Sequence, residues 1–215
     1  MKFKLLIFFL LVNYFSFGKE INLVLSYNTY YSEKGYTYFE LYYLLDPTSL
    51  ELMQEGSQFN GAAEITVTFS HGDKIVSYDK LLISVNQDTN AIAQSIFQQS
   101  RLRLDTGTYD FKLSVRDVNS INEPVVVEQK LSVNFDFEKA HFSAPQFLTK
   151  FEKTSTDNEF SRNGYDMYPM ITLGTPYIDN TYDNLSFYSE LYNVDKQLEK
   201  EEPFLISFYL RNENT

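Results

Sequence analysis

The chain has 215 residues with no cysteine and no tryptophan, 17 tyrosines and 19 phenylalanines, and its formal net charge is −11 at pH 7. An acidic surface repels phosphate backbones, so this charge argues against nucleic acid as a partner and against docking on anionic lipid. Without cysteine there are no disulfides, and two histidines alone do not form a zinc site. The abundance of aromatic residues favours strands.

The first eighteen residues have the layout of a secretory signal peptide. Lys2 and Lys4 supply a basic start, residues 5–12 form an unbroken apolar run, and Gly18 places a small residue at the cleavage position. The alternative is a retained membrane anchor, but the run is shorter than the ~20 apolar residues that cross a bilayer. We therefore expect cleavage of residues 1–18, no transmembrane anchor afterwards, and an exported protein in the periplasm, on the outer-membrane surface or outside the cell.

Strand patterns dominate residues 19–136 and predict an all-β fold, an immunoglobulin-like β-sandwich of about seven strands. Turn signals at Lys34-Gly35, Asp46-Pro47 and residues 70–73 separate the runs. Residues 88–100 are ambiguous, since their apolar spacing fits a short helix and the alternative is an irregular crossover. The strands are predicted at residues 21–27, 36–45, 63–69, 75–85, 109–115 and 125–135.

Residues 102–117 contain the pattern of a tyrosine corner. Gly107 lies in a turn, and Tyr109 opens the strand that follows. In an immunoglobulin-like sandwich such a Tyr hydroxyl bonds to backbone a few residues upstream and fixes the crossover between the sheets. The simpler alternative is a plain β-turn followed by a strand that contains a Tyr. We assign Gly107 and Tyr109 the structural role of a corner.

The remainder of the chain is predicted to be less regular. Residues 137–182 are interpreted as a linker with short strands, since Asn163-Gly164 marks a turn and two prolines interrupt the pattern. Residues 183–215 resume the alternation, at 185–192 and 204–211, and are predicted to begin a second β-sandwich. A sandwich needs about 100 residues, so this domain is expected to be incomplete. Either the sequence is a fragment, or a partner supplies the missing strands by β-addition.

A five-residue motif occurs twice. Residues 38–42 read Tyr-Phe-Glu-Leu-Tyr, and residues 188–192 read Tyr-Ser-Glu-Leu-Tyr. This Tyr-x-Glu-Leu-Tyr motif lies in a strand-like context both times, which favours a second domain of the same kind as the first.

Eight short segments, in this order, carry a resemblance to a known family: residues 27–31, 36–42, 73–76, 78–80, 104–117, 163–164, 167–169 and 185–193. Together they resemble the N-terminal region of the secreted GWxTD-domain proteins of Bacteroidota, over nearly the whole chain after residue 18. The motif that names the family, Gly-Trp-x-Thr-Asp, is absent; it lies further along in the family, so its absence fits truncation. The resemblance implies an envelope location and β-sandwich domains, and it offers no activity to transfer.

The tyrosine stripe formed by Tyr36, Tyr38 and Tyr42 is the candidate interaction surface. Its functional interpretation is an aromatic platform for a protein partner or a sugar. The alternative is a sheet face that the linker or the second domain covers. The absence of Trp, which offers a larger stacking face, disfavours the sugar platform.

No pattern points to catalysis, a cofactor or a metal. His71, in a predicted hairpin turn, and His141, in the linker, lack the neighbours of a nucleophilic triad. The aspartates lack the spacing of a calcium loop. We therefore predict no catalytic, cofactor or metal residues and a non-enzymatic envelope module that scaffolds or contacts another envelope protein. The alternatives are a carbohydrate-binding or adhesive module, and an accessory segment of an enzyme whose catalytic domain is absent here.

Overall fold

The structure is a computed structural model that describes residues 20–32, 35–88, 90–91, 93–156, 158, 160–171, 184–199 and 201–209. In these residues the regular structure consists of strands and two single-turn 3₁₀ helices, which confirms the predicted all-β class. None of the described helices is long and apolar enough to span a membrane. The signal peptide predicted at residues 1–18 lies outside the described residues.

Two antiparallel sheets form the first part of the fold. Their strands are β1 (Leu23–Ser32), β2 (Tyr36–Leu45), β3 (Met53–Glu55), β4 (Gln58–His71), β5 (Lys74–Asp88), β6 (Ile96–Arg103), β7 (Gly107–Asp117) and β8 (Val125–Val133). One sheet has the order β1-β2-β6. In the other, β4 pairs with β5 along one edge and with β3 and β7 along the other, and β8 lies beyond β7. This is the layout of an immunoglobulin-like sandwich.

The space between these two sheets holds the core. Successive side chains of a strand point to opposite faces, and β2 directs its odd-numbered residues from Phe39 to Leu45 into this space. β4 contributes Phe69, whose ring centroid lies 5.0 Å from that of Phe39 and 5.2 Å from that of Phe111. The even-numbered residues of β2 therefore face the other way, towards a second layer.

The turn predicted at residues 70–73 joins β4 to β5. Of the turn predicted at residues 34–35, Gly35 directly precedes β2, and residue 34 lies outside the described residues. Gly35 and Gly72 have φ angles of 85° and 57°. Only glycine adopts this left-handed region at no steric cost. Both hairpins therefore depend on the glycine that the sequence places at the turn.

The described residues of the range 88–100 contain no helix, although a helix was one interpretation of their spacing. β5 continues to Asp88 and β6 begins at Ile96, so the described residues between them make an irregular crossover, which was the alternative. Ile96 and Phe97 pair with Leu45 and Leu44 of β2. A few apolar residues at helical spacing are outweighed here, because the edge of β2 offers backbone partners along the whole of β6.

Six further strands follow the sandwich: β9 (His141–Phe142), β10 (Gln146–Lys153), β11 (Ser161–Arg162), β12 (Tyr165–Pro169), β13 (Ser186–Tyr188) and β14 (Leu191–Tyr192). Four of them form a sheet in the order β11-β12-β10-β13, which we call the second sheet. The other two, β9 and β14, pair in a separate two-stranded sheet. Residues 137–182, interpreted as a linker from the sequence, thus contribute four of these six described strands.

Two strand predictions in this region are wrong. The strand at 185–192 is broken at Ser189 and Glu190, where the Glu190 N–H donates to the Ser143 hydroxyl (2.9 Å) and the Ser143 N–H donates to the Glu190 carbonyl (2.8 Å). The strand at 204–211 is absent from its described part, because residues 202–209 have no ladder partner among the described residues. Residues 210–211 lie outside the described part of the chain.

Candidate functional site

The second sheet lies on the outer face of β1-β2-β6. Asn28 and Tyr30 of β1 contact Gln146 and Tyr188, and Glu40 of β2 contacts Arg162. The face of β2 opposite the core is therefore itself covered. The sequence of residues 36–45 is apolar on both faces except at Glu40, which is the pattern of a strand buried on both faces.

The predicted tyrosine stripe is divided by this cover. Tyr42 is only 2% exposed and therefore does not belong to an exposed interaction surface; the second sheet covers it, as the alternative interpretation of the stripe expects. Tyr36 and Tyr38 are half-buried and border a cleft of about 480 Å³ together with Arg101 and Arg103. The Arg103 guanidinium lies 4.9 Å from the centre of the Tyr36 ring. A sugar would have to displace Arg103 to stack on that face of the ring.

The Glu40 carboxylate is the most heavily bonded group under the cover. Arg162 donates from Nη2 to Glu40 Oε1 at 2.8 Å and to Oε2 at 2.7 Å. Gln99 donates to Oε1 at 2.8 Å, Arg101 donates to the same oxygen, and the Tyr42 hydroxyl donates to Oε2. The side chains of Glu40 and Arg162 are only 2% and 13% exposed. Hydrogen bonds from two guanidinium groups and two further donors thus offset the desolvation penalty of the buried carboxylate.

Arg162 also joins the two copies of the Tyr-x-Glu-Leu-Tyr motif. Its Nη1 lies 3.5 Å from Oε1 of Glu190, the Glu of the second copy. The Tyr188 hydroxyl donates to the same Oε1 at 2.7 Å, and Tyr192 donates to Oε2. In each copy the final Tyr donates to its own Glu. The sequence repeat therefore corresponds to two similar hydrogen-bonded units that meet at one arginine.

Tyrosine rings surround the Arg162 guanidinium. Its carbon lies 4.1 Å from the ring centre of Tyr30, 5.2 Å from that of Tyr188 and 5.9 Å from that of Tyr38. These are cation–π distances, and such contacts strengthen when water is excluded. We call the group the Arg162 cluster; its members are Tyr30, Tyr38, Glu40, Tyr42, Arg162, Tyr188, Glu190 and Tyr192.

Burial keeps the tyrosine hydroxyls of this cluster protonated. It raises the pKa of Tyr38 to about 12, with Glu190 and Glu40 adding to the rise and Arg162 opposing it. Burial likewise raises the pKa of Tyr42 and Tyr188. At neutral pH these hydroxyls therefore act as donors to the carboxylates. The cluster holds charges in place between two sheets, which is a structural role.

The tyrosine-corner residues lie at the start of β7. The Tyr109 hydroxyl donates to the Asp105 carbonyl at 2.7 Å. A Cβ at position 107 would lie 3.2 Å from the Tyr109 hydroxyl oxygen, tighter than ordinary van der Waals contact, so Gly107 leaves room for the ring. Burial, and then the nearby Asp105 carboxylate, raises the pKa of Tyr109 and keeps the hydroxyl a donor.

Replacing Tyr109 with phenylalanine is expected to lower the free energy of unfolding by about 1 kcal/mol, because the variant loses one hydrogen bond and keeps the buried ring. Urea denaturation measures this loss. Tyr78→Phe is the matched control, since Tyr78 is 69% exposed, and it is expected to leave stability unchanged. Equal losses in the two variants would contradict the role of the corner.

The two histidines lie apart. His71 Nδ1 lies 3.4 Å from the Thr108 carbonyl oxygen, and the His141 ring packs 4.6 Å from Phe135. Among the described residues, no group of three or more His, Cys, Asp or Glu is arranged to hold a metal ion.

An apolar groove that the sequence did not suggest lies beside β13. Its volume is about 470 Å³. Phe208 forms part of its wall, with its ring centroid 5.3 Å from that of Phe187 and 5.9 Å from that of Phe142. Sequence reasoning missed the groove because its walls come from three separate segments. The lining residues are Phe142, Ser143, Pro145, Phe147, Leu185, Phe187, Ser189, Phe208 and Tyr209.

No family model matches the chain, and neither a curated protein nor a solved structure matches it.

Proposed function

We propose that the chain is an exported, non-enzymatic β-sandwich module of the cell envelope that contacts another envelope protein. The resemblance to the N-terminal region of the GWxTD-domain proteins supports this compartment and this type of domain. The signal-peptide pattern of residues 1–18 supports export.

The apolar groove beside β13 carries the proposal. β13 ends its sheet, because β10 takes one of its edges and no described strand pairs with the other. Ser186–Tyr188 contains no charged residue or proline of the kind that protects an exposed edge. The neighbouring segment exposes further apolar side chains, and a contiguous apolar surface of this kind marks an interaction site. The exposed side chains of that segment are Phe204, Leu205, Ile206, Phe208 and Tyr209.

The partner that fits this surface is an extended polypeptide segment with apolar residues at alternate positions. The free edge of β13 offers backbone hydrogen bonds to such a segment, and the groove receives side chains from one of its faces. Backbone pairing supplies affinity, and the aromatic lining of Phe142, Phe187 and Phe208 supplies selectivity for apolar residues.

Site-specific cross-linking tests this contact. The chain has no cysteine, so Ser186→Cys labelled with a benzophenone maleimide places one photoreactive group on β13. We expect ultraviolet irradiation of the labelled chain with an envelope extract to give an adduct. Mass spectrometry should map that adduct to one segment with alternating apolar residues.

Ser114→Cys is the control, since Ser114 is half-buried like Ser186 but lies on the central strand β7. Adding Phe187→Lys to Ser186→Cys is expected to abolish the adduct, because a lysine blocks an apolar edge. The same adducts at both positions, or none at Ser186→Cys, would contradict the proposed contact.

A further inference from the structure

The edge strand β8 carries a second surface, separate from the groove at β13. β7 takes one edge of β8, and no strand of the described residues pairs with the other edge. Val125 and Val127 point to the core side, as their neighbours Val115 and Leu113 do, yet they are 50% and 47% exposed. Exposed valines favour pairing of such an edge, whereas Glu128 and Lys130 oppose it unless each meets an opposite charge on the added strand.

The sequence of β8 is complementary to itself. When two copies run antiparallel around Gln129, Glu128 of each copy lies opposite Lys130 of the other. On the opposite face, Val127 lies opposite Leu131 and Val125 opposite Val133. Both charges and apolar residues are thus matched with suitable partners across the new ladder.

Charges on β7 extend this match. Within one copy, Lys112 lies 2.9 Å from Glu128, and Asp110 lies 3.9 Å from Lys130. In the paired sheets, four charged side chains would therefore lie side by side on the outer face. They are Asp110 and Lys130 of one copy, followed by Glu128 and Lys112 of the other. Signs alternate along the whole row, and like charges directly opposite each other are avoided.

Other registers lose this match. A shift of two residues places Glu128 opposite Glu128, or Lys130 opposite Lys130. A shift of one residue sets the charged face of one copy beside the apolar face of the other. One register is therefore selected.

We propose that the chain forms a two-fold symmetric dimer in which β8 of each copy pairs antiparallel with β8 of the other, centred on Gln129. The two five-stranded sheets then form one continuous sheet. Each copy contributes a single strand edge, so the dimer is weak and its population depends on concentration. It is independent of the contact proposed at β13.

Charge reversal at positions 128 and 130 tests the register. Lys130→Glu and Glu128→Lys each place like charges opposite one another in the homodimer. We expect each to raise the dissociation constant by about tenfold or more, measured by sedimentation equilibrium. An equimolar mixture of the two variants restores opposite charges across the pair, so we expect it to form heterodimers with nearly the original affinity.

Lys80→Glu on β5 is the control for net charge, since Lys80 forms an exposed pair with Glu64 (2.9 Å), away from β8. It is expected to leave the dimer intact. Glu128→Lys makes the chain less acidic. If only the electrostatic repulsion between two acidic chains mattered, this variant would associate more tightly. The proposed β8 pairing predicts the opposite, a weaker association. Unchanged melting temperatures establish that the variants fold. A monomer at the highest soluble concentration, or a mixture that fails to restore association, would overturn the proposal.

Discussion

Replacement of Arg162 by methionine is expected to lower the free energy of unfolding by about 3 kcal/mol, near the lower end for breaking a buried ion pair. Glu40 loses two hydrogen bonds, of 2.8 and 2.7 Å, in a site where its side chain is 2% exposed. Methionine fills similar space and leaves the carboxylate charge uncompensated on that side. Arg101 and Gln99 still contact Glu40, which keeps the loss below the full range.

Urea denaturation measures the loss, and hydrogen exchange shows where it acts. In Arg162→Met we expect the exchange rates of amides in β10 and β12 to rise more than those of amides in β4 and β7. The reason is that Arg162 links the second sheet to β2 of the sandwich. Arg116→Met is the matched control, since Arg116 forms an exposed pair with Glu64 at 3.6 Å. Its effect is expected to stay within about 0.5 kcal/mol.

A double variant separates the charge from the shape of the site. Glu40→Gln combined with Arg162→Met removes both charges, and it is expected to be more stable than Arg162→Met alone. Equal losses in Arg162→Met and Arg116→Met would show that the Arg162 cluster contributes nothing to the attachment of the second sheet.

Replacement of Phe69 by alanine is expected to lower the free energy of unfolding by about 4 kcal/mol, because it removes buried apolar area and leaves a cavity. Phe69 is fully buried near the end of β4 and contacts rings from both sheets, Phe39 at 5.0 Å and Phe111 at 5.2 Å. The cavity therefore opens between the two layers, where neighbouring strands have little freedom to collapse. Urea denaturation monitored by far-ultraviolet circular dichroism measures the loss.

Tyr78→Ala is the control for Phe69→Ala. Tyr78 is an aromatic residue of similar size on the adjacent strand β5, and it is 69% exposed. Its removal is expected to change stability by no more than about 0.5 kcal/mol. A loss at Tyr78 as large as that at Phe69 would mean that the core does not lie between these sheets.

The sandwich could be predicted from the sequence because its strands and turns each have a recognisable local pattern. β2 spans residues 36–45, as predicted, since an apolar run ends there at Asp46-Pro47. The hairpin between β4 and β5 follows from a glycine turn between two alternating runs. The second sheet was not readable in the same way, because its strands are short and the run at 185–192 breaks where Ser143 bonds to Glu190.

Only part of the Arg162 cluster could be predicted from the sequence. The repeated Tyr-x-Glu-Leu-Tyr motif pointed to Glu40 and Glu190, but nothing marked Arg162, which lies 122 positions from Glu40. The periodicity of apolar residues shows which residues share a face of one strand. It does not show which distant residue supplies the opposite charge of a buried ion pair. The sequence likewise leaves open whether Tyr42 is exposed or covered, because its cover is built from residues much later in the chain.

The separation of Glu40 from Arg162 also has a consequence for the order of assembly. Synthesis proceeds from the N-terminus, so every strand of the sandwich up to β8 exists before Arg162 has been made. When the sandwich has folded and the second sheet has not docked, Glu40 and its neighbouring tyrosines face water on an uncovered sheet. The buried ion pair between Glu40 and Arg162 therefore forms only as the second sheet docks.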